Sequence, residues 1–229
     1  MPAIVFQANE LLEIGRTWNA ATCTLAKAQG ERLGHLCDRT VGERLAEMLG
    51  GIPVVAPRNS RTLLPPQPDC VEVGPARVIG GIRPQNFDVA YRPDGVRFAY
   101  DSKTLNTRGS LSKNYQNLIN DLGTEAATVH TRFPSALVAF IVAVPQPCLG
   151  NHRANLTSAL RRLSGRRITS GDVHKAEAIG LLIWNPLDGT TDANWPEPGS
   201  PLRIDNFSAQ VELCYTDRFA GLPPHNEAE

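Results

Sequence analysis

Three residues near the middle of the chain have the types and spacing needed for metal-assisted phosphoester hydrolysis: Asp88, Asp101 and Lys103. In the segment Val96–Lys103, Asp101 and Lys103 are two residues apart, so in a strand both side chains leave the same face. Asp88 belongs to the preceding segment, Asn86–Tyr91, where Phe87, Val89 and Tyr91 alternate with Asn86, Asp88 and Ala90. Between them lies Arg92-Pro93-Asp94-Gly95, a turn sequence: proline presets the backbone angle, while Asp and Gly suit the positions needing a side-chain cap or positive φ. A hairpin folded there brings Asp88 and Asp101 near cross-strand positions, close enough for their carboxylates to share one divalent cation. Hard oxygen donors suit magnesium, which takes one or two carboxylates and keeps places for water and a substrate phosphate. An amine beside such an ion offsets transition-state charge and orients or deprotonates the attacking water, and Lys103 is placed for that role.

The elements that must hold these residues follow from periodicity. Leu11, Leu12, Ile14, Trp18, Ala21, Leu25 and Ala28 predict a helix over 7–29, and Leu33, Cys37, Val41, Leu45, Met48 and Leu49 a second over 31–49, stopped by Gly50-Gly51. Prolines 53, 57, 65, 66 and 68 make 52–69 a long loop. Strands are predicted over 70–79, 86–91 and 96–103, then a helix capped by Ser110 or Ser112 and running through Leu118, Leu122, Ala126 and Val129. Ala136–Val144 and Ala178–Trp184 are apolar on both faces, as central strands must be. A helix over 151–163 separates them, and a last strand is expected near Phe207–Tyr215. The order predicts a single α/β domain over 1–229: a mixed β-sheet, antiparallel at its hairpin end and parallel at its centre, flanked by helices on both faces.

With Asp88 followed by Asp101-Ser102-Lys103, each on the right kind of strand, the chain resembles the PD-(D/E)XK nuclease superfamily, and within it type II restriction endonucleases. The resemblance runs over about Gly34 to Trp184 as an order of elements. It implies a restriction-endonuclease-like fold, with Asp88 and Asp101 as catalytic metal ligands and Lys103 as the motif lysine. The literal Pro93-Asp94 pair is not the motif, because Asp94 sits in the turn. The family also often supplies an acid from its first core helix, after a glycine and within an apolar stripe. Gly34-His35-Leu36-Cys37-Asp38, followed by Val41, Leu45 and Leu49, matches that pattern and adds Asp38 as a further catalytic and metal residue, with Glu43 in reserve. The implied activity is Mg2+-dependent endonucleolytic cleavage of double-stranded DNA in restriction or phage defence, with Mn2+ able to replace Mg2+. The glycine-serine loop and Asn-rich helix after Lys103 also look similar to some restriction endonucleases, and helix N-termini bind phosphate, which points to DNA contacts from Ser110, Lys113, Asn114 and Asn117.

Local charge adds Arg153, Arg161 and Arg162, at the head of a run completed by Arg166 and Arg167, as DNA-binding candidates. Globally, 23 Lys plus Arg balance 23 Asp plus Glu, so no overall basic signature exists and any binding surface must be local. Cutting both strands from one site per chain calls for a homodimer matched to a two-fold target. The proline-rich loop and neutral charge fit a second reading, a partner-dependent effector subunit of a defence system or a non-catalytic nucleic-acid-binding module. Five scattered cysteines without CxxC predict neither zinc nor a disulfide framework, and a cytoplasmic location. His130 and His174 lack a recognisable catalytic partner and are expected to be structural or exposed. The longest apolar run, Ala136–Val144, is too short to span a bilayer, so no membrane association is expected.

Overall fold

The computed structural model describes residues 1–109 and 115–222 of the chain. In chain order the elements are α1 (Ala8–Gly15), α2 (Lys27–Met48), β1 (Val54–Val55), β2 (Val71–Ile79), β3 (Pro84–Tyr91), β4 (Phe98–Thr104), α3 (Tyr115–His130), β5 (Leu137–Pro145), α4 (Gln146–Leu149), α5 (Arg153–Leu163), β6 (Ala178–Trp184) and α6 (Ile204–Phe219). The six strands form one mixed sheet in sequence order. Strands β2, β3 and β4 are antiparallel to one another, while β4, β5 and β6 run parallel, as does the short β1 against β2. The fold is therefore α/β, with helices on both faces. No described helix is long and apolar enough to cross a membrane.

Each face of the sheet has its own core. Val89, Tyr91, Phe98 and Tyr100 pack with Leu33, Cys37, Val41 and Leu45 of α2 and with Phe207, Val211, Cys214 and Tyr215 of α6. On the other face Ala99, Val138, Phe140 and Val142 meet Leu118, Leu122, Ala126 and Val129 of α3 and Leu156 and Leu160 of α5. Strand β5 is buried at every position, as its unbroken apolar run requires.

Two predicted elements are corrected. The helix expected over 7–29 is broken between α1 and α2. There Asn19 pairs with Thr24, the Thr22 amide donates to Asn19 Oδ1 at 3.1 Å, and Cys23 takes a positive φ of 48°. Asn and Thr side chains offer the backbone local bonds that compete with helix. The strand expected near 207–215 is helix α6. Its buried residues Phe207, Val211, Cys214, Tyr215 and Phe219 repeat at helical intervals and lie on the sheet as one stripe.

The proline-rich segment is tied down by one buried cation. Arg92 donates to Glu72 through two bonds of 2.6 and 2.7 Å, and also to the carbonyls of Leu63 and Arg77. Glu72 is fully buried. Arg92→Ala should leave Glu72 charged and alone, costing about 3–5 kcal/mol. Thermal unfolding is expected to fall by roughly 10 °C, with faster proteolysis inside 58–68. Unchanged melting would mean that Arg92 does not anchor the loop.

Candidate active site

Asp88 and Asp101 are brought together where the hairpin strands part. The recorded pairing of β3 with β4 ends at Val89 opposite Tyr100. One step beyond, the Asp88 carboxyl turns into the gap: its Oδ2 accepts from the Ser102 amide at 3.1 Å and from the Ser102 hydroxyl at 3.3 Å. The Asp101 carboxyl stands beside Asp88 and adds to burial in raising it. Asp101 and Lys103 leave the α3 face of β4, and Lys103 Nζ donates to Asp101 Oδ2 at 2.6 Å. Asp88, Asp101 and Lys103 thus meet as the strand period requires.

Asp38 arrives from the opposite face. It belongs to a ridge of α2 at four-residue spacing, Gly30, Gly34, Asp38 and Gly42, which lies against the sheet. A Cβ at Gly42 would stand 2.2 Å from Val73 Cγ2, and one at Gly30 2.0 Å from Asn106 Nδ2. This close approach sets the Asp38 carboxyl against Ser102 and Asp88. Asp38 is buried with its Oδ1 unpartnered, whereas Glu43 and Glu47 are exposed, so the reserve candidate drops out. Asp94 forms a turn contact as expected, its carboxylate accepting from Arg97 Nε at 2.9 Å and held below the ordinary carboxylate range by that bond.

Crowding these acids has an electrostatic consequence. Burial and the neighbouring Asp88 push Asp38 up to about 8, and burial with the Asp101 bond and charge pushes Asp88 up to about 7. Asp101 is also raised by burial, against the opposing pull of the Asp88 bond and Lys103. Burial would lower the Lys103 ammonium, but the Asp101 and Glu125 carboxylates outweigh it and hold the amine charged above the ordinary lysine range. A lysine held in that state favours the charge-neutralising role over the base role of the two expected of Lys103.

Glu125 is the residue that the sequence reading left without a role. It accepts from Lys103 Nζ at 2.9 Å and from Gln85 Nε2 at 3.2 Å, while its Oε2 is buried without a partner. A signal was available, because Glu125 falls on the apolar stripe of α3 formed by Leu118, Leu122, Ala126 and Val129.

The arrangement suits a hard divalent cation. The donors are carboxylate oxygens, burial and crowding raise both Asp38 and Asp88, and Asp38 Oδ1 has no partner. Asp88 and Asp101 would hold the ion, with Asp38 on its far side. Among the described residues no three of His, Cys, Asp and Glu are arranged to hold a metal ion.

The DNA-contact candidates fare unevenly. Ser110, Lys113 and Asn114 lie outside the described residues, and Asn117 is exposed on α3. Arg153 stacks over Trp195 and lies 3.6 Å from Asp192, Arg161 is paired with Glu197, and Arg162 is exposed. Arg166 is buried against Glu177, with Arg218 on the same carboxylate oxygen, so part of the arginine run is core. His130 is structural: it is buried, with its ring nitrogens at Val173 O and Glu177 Oε2.

No family model, curated protein or solved structure matches this chain.

Proposed function

We propose that the chain is a metal-dependent nuclease with a restriction-endonuclease-like fold, hydrolysing phosphodiester bonds of double-stranded DNA and working in defence as a homodimer. The observation that carries this reading is the meeting of Asp88, Asp101 and Lys103 at the parting of β3 and β4. Mg2+ or Mn2+ held there would polarise the scissile phosphate and supply activated water. Asp88 and Asp101 bind and orient, Ser102 fixes the Asp88 carboxyl, and Lys103, bonded to Asp101, offsets from the α3 side the negative charge gathered at the site.

Purified protein is expected to nick or linearise supercoiled plasmid with Mg2+ or Mn2+, to stop in EDTA, and to bind Mn2+ by titration calorimetry. Absence of both cleavage and cation binding would sink the reading. The lock of Lys103 between two carboxylates favours a second version, in which the chain cuts only once a partner or the substrate draws Lys103 away from Glu125. Activity of the lone chain would eliminate that version.

A further inference from the structure

Two open cavities meet at the acids, and both lie on the α2 side of the sheet. A groove of about 1050 Å³ between α1 and α2 opens onto Arg32, His35, Asp38 and Asp88. A smaller polar pocket of about 340 Å³ continues from the same His35, Asp38 and Asp88 to Lys27, Thr104 and Asn106. Asp101, Lys103 and Glu125 line neither cavity. Asp38, only 6% exposed, points an unpartnered oxygen into this junction, and Asn106 Oδ1 is likewise buried without a partner.

Charges of both signs stand along the same track: Arg16, Arg32 and Arg39 with Glu10 and Glu13 in the groove, and Lys27 with Glu31 in the polar pocket. Arg32 is exposed and bonds only to Gln29, at 3.1 Å. The Lys27 side chain is 92% exposed and lies 3.7 Å from Glu31, and the largely exposed His35 has its Nδ1 3.7 Å from Asp38 Oδ2. On α5, Arg161 is paired with Glu197 and Arg153 lies 3.6 Å from Asp192, whereas Arg32 on α2 forms no ion pair among the described residues. Phosphates are positioned by exposed cations that have no better partner.

We infer that the cleaved strand lies along α2, from the polar pocket across Asp38 and Asp88 into the α1–α2 groove, with its backbone phosphates held by Lys27, Arg32 and His35. This rests on the nuclease reading and moves the DNA-binding surface from α5 to α2. Asn106, Thr104 and Ser102 then face the nucleoside on one side of the cut, where the unpartnered Asn106 oxygen requires a donor such as an exocyclic base amine.

The test is binding of a fluorescein-labelled DNA duplex by the full chain in Ca2+, read by anisotropy over a range of salt. Lys27→Glu/Arg32→Glu is expected to weaken binding at least tenfold and to flatten the slope of log affinity against log salt by about two. The matched charge reversal Arg161→Glu/Arg162→Glu should change affinity less than threefold. If instead the α5 variant loses binding and the α2 variant keeps it, the path is wrong while the nuclease reading stands. If the wild-type chain binds no duplex even at low salt and cuts none, both fall together. All four positions are exposed, and circular dichroism checks that each variant is folded.

Discussion

Asp88→Asn is expected to lower cleavage by about 10³-fold and, at pH 8 without divalent cation, to raise the melting temperature. The sign follows from linkage. An aspartate normally titrates at 3.8, but folded Asp88 is pushed up to about 7 by burial and by Asp101. Between those values the folded chain keeps a proton that the unfolded chain has released, so stability falls as pH rises through that window. Above about 7 the loss is complete, at about 1.4 kcal/mol for each unit separating the two states. Asparagine cannot ionise. Its amide can donate to Asp101 and its carbonyl can accept from the Ser102 amide, which are the bonds that protonated Asp88 makes. The variant should therefore melt roughly 10 °C higher than wild type at pH 8 and at nearly the same temperature near pH 3.5, where Asp88 is largely protonated in folded and unfolded chains alike. Adding Mg2+ should stabilise wild type at pH 8, far less at pH 5, and the variant hardly at all. Scanning fluorimetry over that grid decides it. A variant that melts lower at pH 8, or that answers Mg2+ as wild type does, would show that Asp88 is a neutral structural carboxyl and no cation ligand.

The hairpin and its three chemical residues were legible because strand alternation and turn chemistry are local. Pro93-Asp94-Gly95 fixed the reversal, and counting outward from it placed Asp88 by Asp101. Asp38 was legible as one acid on the inward stripe of a helix. The reason it approaches so closely, the glycine ridge at 30, 34 and 42, becomes apparent only once α2 rests on the sheet. The misread α6 shows the limit of short windows. Phe207, Val211 and Tyr215 are good strand formers, and only the packing of one stripe against the sheet selects the helix. The arginine run failed for a related reason. Burial of Arg166 depends on Glu177 and Arg218, which reach it from β6's edge and from α6, and no local pattern announces such a meeting. The state of Lys103 was beyond reach too, since it is set by Glu125 on α3, 22 residues away.

That pairing makes Lys103 the position where structure and chemistry can be separated by substitution. Lys103→Ala leaves Asp101 and Glu125 buried without a counter-charge, so it should cost about 3–5 kcal/mol at neutral pH and cut cleavage by about 10²–10³. Such a variant alone cannot tell a site residue from a strut. Lys103→Arg keeps the charge, and Lys103→Ala/Glu125→Gln removes one of the stranded carboxylates, so both should recover most of the melting temperature. If Lys103 acts by neutralising charge, Lys103→Arg retains part of the cleavage rate, while the double variant stays as inactive as Lys103→Ala despite its recovered fold. A base role predicts otherwise: Lys103→Arg would be dead, because a guanidinium does not release its proton near neutral pH. A purely structural role predicts that activity follows stability through all three variants. The raised state of the wild-type amine, held by Asp101 and Glu125, selects the first outcome. Its mark in the pH profile of Mg2+-loaded wild type is the absence of a lysine limb in the alkaline range.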